Sequence, residues 1–192
     1  MLQSKSKSLF KNNIFKFFAV TAISAMLVAG LVYKFYSEKS PITDFVYSRD
    51  AESILKIFDK DWYWLVASSR EEYSPDFMLK NRAYDRDPAH FGKLDIKVLR
   101  ENNKLAGFTA YFNKKIYEGF LLYVGVDRDF RGEGYGEKLT NYAVEDMFAN
   151  GCNIVKLITR TENIKARSLY KKLGFEETLV DGGYVYYTKY KK

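Results

Sequence analysis

From residue 44 onward the apolar positions change period several times, and each period predicts an element. In residues 51–68, "AESILKIFDKDWYWLVAS", Ile54, Leu55, Phe58, Trp62 and Leu65 recur every three or four residues. That spacing predicts a helix with one buried stripe, and Asp50 just before it is suited to cap it. A short strand-like run, "FVYS", precedes. Residues 71–93 are polar, broken by Pro75 and Pro88, and show no clear period. Residues 94–102 and 104–115 read as two strands, with "NNK" as the turn of a hairpin. Residues 118–126, "EGFLLYVGV", are almost continuously apolar, as expected of a strand covered on both faces. A helix is predicted over 136–151, with Leu139, Tyr142, Ala143 and Met147 on one face and Gly151 at its end. A strand over 153–160, a helix over 163–174 ending on Gly174 and a closing strand over 184–190 complete the chain. The order predicts an α/β fold: a mixed sheet, antiparallel at the hairpin and parallel across the strand-helix-strand unit, with helices on its faces.

The N-terminal part has a different pattern. Residues 17–33, "FFAVTAISAMLVAGLVY", carry no charge and are bracketed by Lys16 and Lys34. The run is just long enough to cross a bilayer. Phe17, Phe18, Tyr33, Phe35 and Tyr36 stand where an interfacial belt would. A cleaved signal peptide competes with this reading, but cleavage after Ala25 would leave "MLVAGLV" as an exposed end. A buried helix of the domain also competes, but the run has no polar face. The expectation is a basic tail (1–16), a transmembrane or signal-anchor helix (17–36), a linker (37–43) and one domain (44–192).

Composition narrows the chemistry. The chain has 192 residues, one cysteine (Cys152) and one histidine (His90). A structural zinc site takes four Cys or His ligands, which this chain cannot supply, so no metal is expected. A Ser-His-Asp site would need His90, which has no nucleophile motif beside it. The net charge of +7 divides unevenly: residues 1–40 hold six lysines against Glu38, or +5, leaving +2 on the rest. That nearly balanced body carries no electrostatic footprint for nucleic acid.

The candidate chemistry lies in "DRDFRGEGYGEKLT", 127–140, between the apolar strand and the next helix. Glycines let a backbone approach a ligand, and a helix N-terminus presents unpaired amides and a partial positive charge. Together they suit phosphate. A P-loop would need Gly-Lys-Ser/Thr, but Glu137 follows Gly136. A dinucleotide fingerprint started at Gly132 would need a glycine at Glu137. The competing structural use is a turn that lets the helix pack closely on the strand.

Arg131, Gly134 and Gly136 satisfy Arg/Gln-x-x-Gly-x-Gly/Ala, and "NIKARSLYKKLGF" places Asn163, Ala166, Tyr170, Gly174 and Phe175 in the pattern Asn-x-x-Ala-x-x-x-Tyr-x-x-x-Gly-Phe. With these two motifs in order, the chain resembles the GNAT acetyltransferase superfamily, most strongly over 120–175. The resemblance implies a GNAT-like fold, with acetyl-CoA as co-substrate and direct acetyl transfer to an amine. The acceptor would be a small molecule, or the N-terminus or a lysine of a protein. It implies that amides around Gly132, Gly134, Tyr135 and Gly136 hold the pyrophosphate, with Arg131 beside them. Val124 and Val126 would pair with the pantetheine arm, and an amide there would polarise the thioester carbonyl. Gly125 would mark the bulge that opens the sheet. Tyr170 would be the general acid, although Ala166, Leu169 and Leu173 share its face and offer a packing role. Asn163 would contact the cofactor or cap its helix. Glu118 is the candidate base, two residues early for the family's position at Phe120, and a plain charge at a strand edge is its competing role. Asp127 and a water relay are alternatives.

Membrane side and ligand conflict. Four lysines precede the apolar run and two follow it closely, which places the body outside the cytosol by charge. Acetyl-CoA is made and used inside. The ligand outweighs a modest charge bias, so the expectation is a cytosolic domain on an anchored chain. A membrane-anchored, non-catalytic module that keeps the fold and the CoA site is the alternative of another class.

Overall fold

The computed structural model describes residues 42–83 and 93–192. The expected transmembrane or signal-anchor helix (17–36), the basic tail and His90 lie outside the described residues. Among the described residues no helix is long and apolar enough to cross a membrane.

Seven strands form one mixed sheet in the order β1-β2-β3-β4-β5-β7-β6. Strand β1 (Ile42–Asp44) pairs antiparallel with β2 (Asp95–Glu101), so the sheet begins inside the stretch expected to be linker. Strands β2 and β3 (Lys104–Lys115) form the predicted hairpin. Its turn residues, Asn102 and Asn103, have φ of 49° and 63°, the left-handed region that asparagine tolerates and a two-residue hairpin turn requires. Strand β4 (Glu118–Val126) runs antiparallel to β3, and β5 (Ile154–Arg160) lies parallel to β4 across helix α3 (Tyr135–Ala149). The chain then passes through α4 (Ile164–Lys172) into β6 (Glu176–Asp181) and β7 (Tyr184–Tyr190).

Helices α1 (Tyr47–Leu65) and α2 (Pro75–Asn81) cover one face of the sheet. The core there holds Ile54, Ile57, Phe58, Met78, Ile96 and Phe108. Helix α1 starts four residues earlier than expected, so Tyr47 and Ser48 of the run read as a strand lie within it. Asp50 lies inside its first turn, where its carboxylate accepts from the Val46 N–H (2.8 Å) and from Arg49 and Arg100. Among the described residues of the aperiodic stretch, helix α2 is the one helix: Ser74 caps it, accepting from the Phe77 N–H at 3.2 Å, and Pro75 takes the first helical position. Helices α3 and α4 lie over the other face, where Leu121, Ala143, Met147, Leu157 and Tyr187 are buried.

The feature that positions a site is the incomplete pairing of β4 with β5. Only Glu118↔Ile154, Gly119↔Val155 and Phe120↔Lys156 are in register. Beyond them Leu121–Val126 and Leu157–Arg160 diverge, leaving a fork with one bare edge of β4. The opposite edge of β4 skips a residue just past the vertex: Tyr111 pairs with Leu121 and Ala110 with Tyr123, so Leu122 is extra. Such a bulge sharpens the twist of a strand and turns it from its neighbour. Gly125 is therefore not the bulge. A Cβ there would lie 2.4 Å from Phe108 Cε1, so this glycine makes room for an aromatic ring under α1.

Candidate active site

The fork opens onto the turn between β4 and α3. The Asp127 N–H donates to the Ala106 carbonyl on β3 (2.9 Å). Alternation along the strand then aims the amides of Val126 and Val124 away from β3, into the fork. Asp127 next caps a 3-10 turn, Arg128–Phe130, accepting from the Asp129 N–H at 3.1 Å. Gly132 and Gly134 follow with φ of 93° and 77°.

The two structural uses of the glycines separate by position. A Cβ at Gly132 or Gly134 would meet nothing within 4 Å, so no packing contact demands glycine there. What demands it is the left-handed backbone, which leaves open space over the amides. Gly136 has an ordinary helical conformation, and a Cβ would sit 3.6 Å from Leu169 Cδ2 and 3.8 Å from Val126 Cγ2. Those are ordinary contacts, so the packing of α3 on β4 and α4 tolerates a Cβ there. No side chain caps α3, whose first backbone bond runs from the Lys138 N–H to the Gly134 carbonyl. Its first-turn amides, including those of Tyr135 and Gly136, face the open space with the positive end of the helix behind them. The Tyr135 side chain points elsewhere: its hydroxyl donates to Glu101 at 2.9 Å.

Arg131 does not reach over the glycines. Its Nε donates to the Val126 carbonyl (3.1 Å) and its Nη2 to the Asp61 carboxylate. Arg128 shares that carboxylate, at 3.0 Å. Asp61 is 5% exposed, and the sequence reading missed it. The signal was present, since Asp61 falls on the same helical stripe as Ile54, Phe58 and Leu65. A charge on an apolar stripe needs a partner, and here it has two.

Tyr170 stands on α4, next to the Leu169 that packs on Gly136. Its half-buried ring lies 5.9 Å from Phe175 and 5.7 Å from Tyr187. Burial, with Tyr187 second, pushes its phenol up to about 12, so it keeps its proton throughout the neutral range. Among the described residues its hydroxyl has no hydrogen-bond partner, which leaves a donor free. Asn163 caps α4, its Oδ1 accepting from the Ala166 N–H at 3.3 Å. Capping thus fixes the helix that carries Tyr170.

Glu118 is no loose charge at a strand edge. It is buried at the first residue of the β4–β5 ladder, two residues before the vertex, and its carboxylate accepts from Lys156 Nζ at 2.7 Å. The pair bridges β4 and β5 where their ladder ends. Among the described residues no group of three or more His, Cys, Asp or Glu side chains is placed to hold a metal ion.

Comparison with known proteins agrees with this geometry. Residues 51–175, more than half of the chain, match the model of the Acetyltransferase (GNAT) family. An uncharacterised N-acetyltransferase of Methanocaldococcus jannaschii is 47% identical over 60 residues, 31% of this chain and 26% of the relative. The ribosomal protein bS18-alanine N-acetyltransferase of Escherichia coli K12 is 30% identical over 86 residues, 45% of this chain and 57% of the relative. The matched part thus spans between about a quarter and somewhat over half of these relatives. The PaiA N-acetyltransferase of Thermoplasma acidophilum, solved with coenzyme A, superposes with a TM-score of 0.64 at 20% identity, over 78% of this chain and 98% of that one. The ribosomal-protein-alanine N-acetyltransferase of Brucella melitensis superposes at 0.61 and 18% identity, over 78% and 99%. At these identities the likeness is one of fold. The fork, the two left-handed glycines and the matched span together place the chain in the GNAT acetyltransferase family.

Proposed function

We propose that the protein transfers an acetyl group from acetyl-CoA directly to an amine. The observation that carries this reading is the bare edge of β4, which leads without interruption to the uncapped N-terminus of α3. The site fits the co-substrate: the space a Cβ would fill at Gly132 and Gly134 is open, and the amides under it lack side-chain caps. When bound, acetyl-CoA supplies an acyl group already activated as a thioester.

The chain's own residues do the rest. Amides of Gly132, Gly134, Tyr135 and Gly136 hold the pyrophosphate. Val124 and Val126 offer amides along the fork to the pantetheine arm, and a donor there stabilises the developing oxyanion. Arg131 acts beside the phosphates through the shape of the turn, because its guanidinium is engaged with Asp61 and Val126. Tyr170 protonates the departing thiolate. Glu118 holds the vertex with Lys156, and water in the fork takes the proton that the ammonium must lose. The acceptor is an amine on a small molecule or on a protein. The apolar run over 17–36 motivates a membrane anchor with the domain on the cytosolic side. Carbonate extraction and protease protection test both points.

Calorimetric titration of acetyl-CoA into the full chain tests the core of this reading, with Gly134→Glu as control and thiol release from a panel of primary amines as the activity. Micromolar binding that the substitution abolishes supports it. A folded protein that takes up no acetyl-CoA removes it.

A further inference from the structure

Helix α1 is broken at Asp61, whose φ of −125° and ψ of 26° are not helical. Neither Pro nor Gly stands within the helix, so the break needs another cause. The turn after β4 supplies one. Arg128 Nη2 donates to the Lys60 carbonyl, next to the break. Arg128 also donates to Asp61 Oδ1, from Nη2 at 3.0 Å and from Nε at 3.3 Å. Arg131 takes Oδ2. Lys60 Nζ lies 3.8 Å from Asp127 Oδ2, at the start of the same turn. The consecutive pair Lys60-Asp61 is thus read by Asp127, Arg128 and Arg131, sign against sign.

The asymmetry of exposure says which partner anchors the other. The Asp61 carboxylate is 5% exposed, whereas the side chains of Arg128 and Arg131 are 54% and 45% exposed. Two half-exposed arginines therefore converge on one buried carboxylate fixed in a helix that packs into the core. Arg131 lies immediately before Gly132, and its Nε also ties down the Val126 carbonyl at the end of β4. Anchoring it fixes both ends of the turn 127–131, and with them the start of the glycine segment that cradles the ligand.

We infer that Asp61 is a positioning residue for the phosphate-binding turn, acting through Arg128 and Arg131 and touching neither substrate. The ligand side of this assignment rests on the acetyl-CoA reading; the ordering of the turn does not. It also joins the helix over one face of the fork to the loop that holds the co-substrate, so the two cannot shift independently.

The test is Asp61→Asn in the full chain. Its KM for acetyl-CoA is expected to rise about tenfold, with kcat at saturation changed less than about twofold. Amide hydrogen exchange over residues 128–137 should quicken in the ligand-free protein. Adding Arg131→Gln to Asp61→Asn should cost less than the sum of the single losses, because both remove the same link. If Asp61→Asn does not fold, Arg128→Gln and Arg131→Gln, altered at half-exposed positions, should each quicken exchange at the turn. A lower melting temperature with unchanged exchange and unchanged KM would overturn the assignment and leave Asp61 a structural residue of α1. A wild-type chain that binds no acetyl-CoA, with faster turn exchange in Asp61→Asn, removes the acetyl-CoA reading and keeps Asp61 as the anchor of the turn.

Discussion

Gly134→Ala separates what the fold needs from what the ligand needs. Gly134 has φ 77° and ψ 5°, and an added Cβ meets no atom within 4 Å. The substitution therefore adds no clash. Its cost to folding is that of a left-handed alanine, about 1 kcal/mol. For a domain of this size that lowers the melting temperature by about 2–4 °C. A domain stable by about 5–15 kcal/mol remains almost fully folded after such a loss. Affinity should respond differently. The new methyl group enters the space above the α3 amides and displaces a charged acceptor from them. A hydrogen bond to a charged group contributes about 1.5–3 kcal/mol, so the dissociation constant for acetyl-CoA should rise roughly ten- to a hundredfold. Gly136→Ala is the internal control. Its Cβ would make ordinary contacts with Leu169 and Val126, and alanine favours a helix over glycine by about 1 kcal/mol. It should melt no lower than wild type and bind as well. Melting by calorimetry and titration of acetyl-CoA read both quantities on the same samples. Gly134→Ala that melts a few degrees lower yet titrates like wild type would falsify the phosphate cradle.

Tyr170→Phe should lower kcat about a hundredfold with little change in acetyl-CoA affinity; unchanged turnover removes Tyr170 from the chemistry. Because the Tyr170 phenol is raised to about 12 and is the acid only while protonated, this group should cause no alkaline decline in kcat below about pH 11, and an earlier decline that vanishes in Tyr170→Phe contradicts the assignment. Glu118→Gln leaves Lys156 without its partner and should lower stability by about 1 kcal/mol, the lysine being half-exposed. The acid limb of the kcat profile should stay where it is; a limb lost in Glu118→Gln restores Glu118 as the base. Glu177 is depressed to about 2 by the Tyr187 hydroxyl first, then by Lys171 and Arg167. A depressed carboxylate stabilises the fold above its unfolded value of 4.5 and loses that contribution as pH falls toward 2. Wild type and Glu177→Gln should therefore differ in melting temperature near pH 7 and converge toward pH 2; a constant difference excludes the ionic network.

The elements legible in the chain were those whose burial writes a period. Strands β3, β4 and β7 begin and end where the apolar pattern does, and Gly151 and Gly174, with φ of 96° and 79°, end their helices as expected. Strand β6 was missed because it has no buried face: all six residues are exposed, and it is held by its ladder to β7. Its signal was in the turn, where Gly182 and Gly183 have φ of 54° and 82°. That hairpin also changes the topology, since it makes β7 antiparallel to β5 where a simple strand-helix-strand unit predicts parallel pairing.

At the site, legibility followed the distance over which each role is encoded. Gly132, Gly134 and the helix after them are local, so a motif within fourteen residues suffices to place the amides. Arg131 was read by the same local logic, which does not see that its guanidinium engages Asp61. A guanidinium with an exposed turn on one side and a buried carboxylate on the other goes to the carboxylate, where the charge it meets is least screened. That carboxylate stands 70 residues earlier. Glu118 follows the same rule, meeting Lys156 across 38 residues. Both readings assigned a charged side chain to the chemistry while its ion-pair partner lay out of view in the chain. A buried carboxylate on an apolar stripe must draw a cation from somewhere, so Asp61 and Glu118 are better read first as claims on distant arginines and lysines, and only the charges left over as candidates for chemistry.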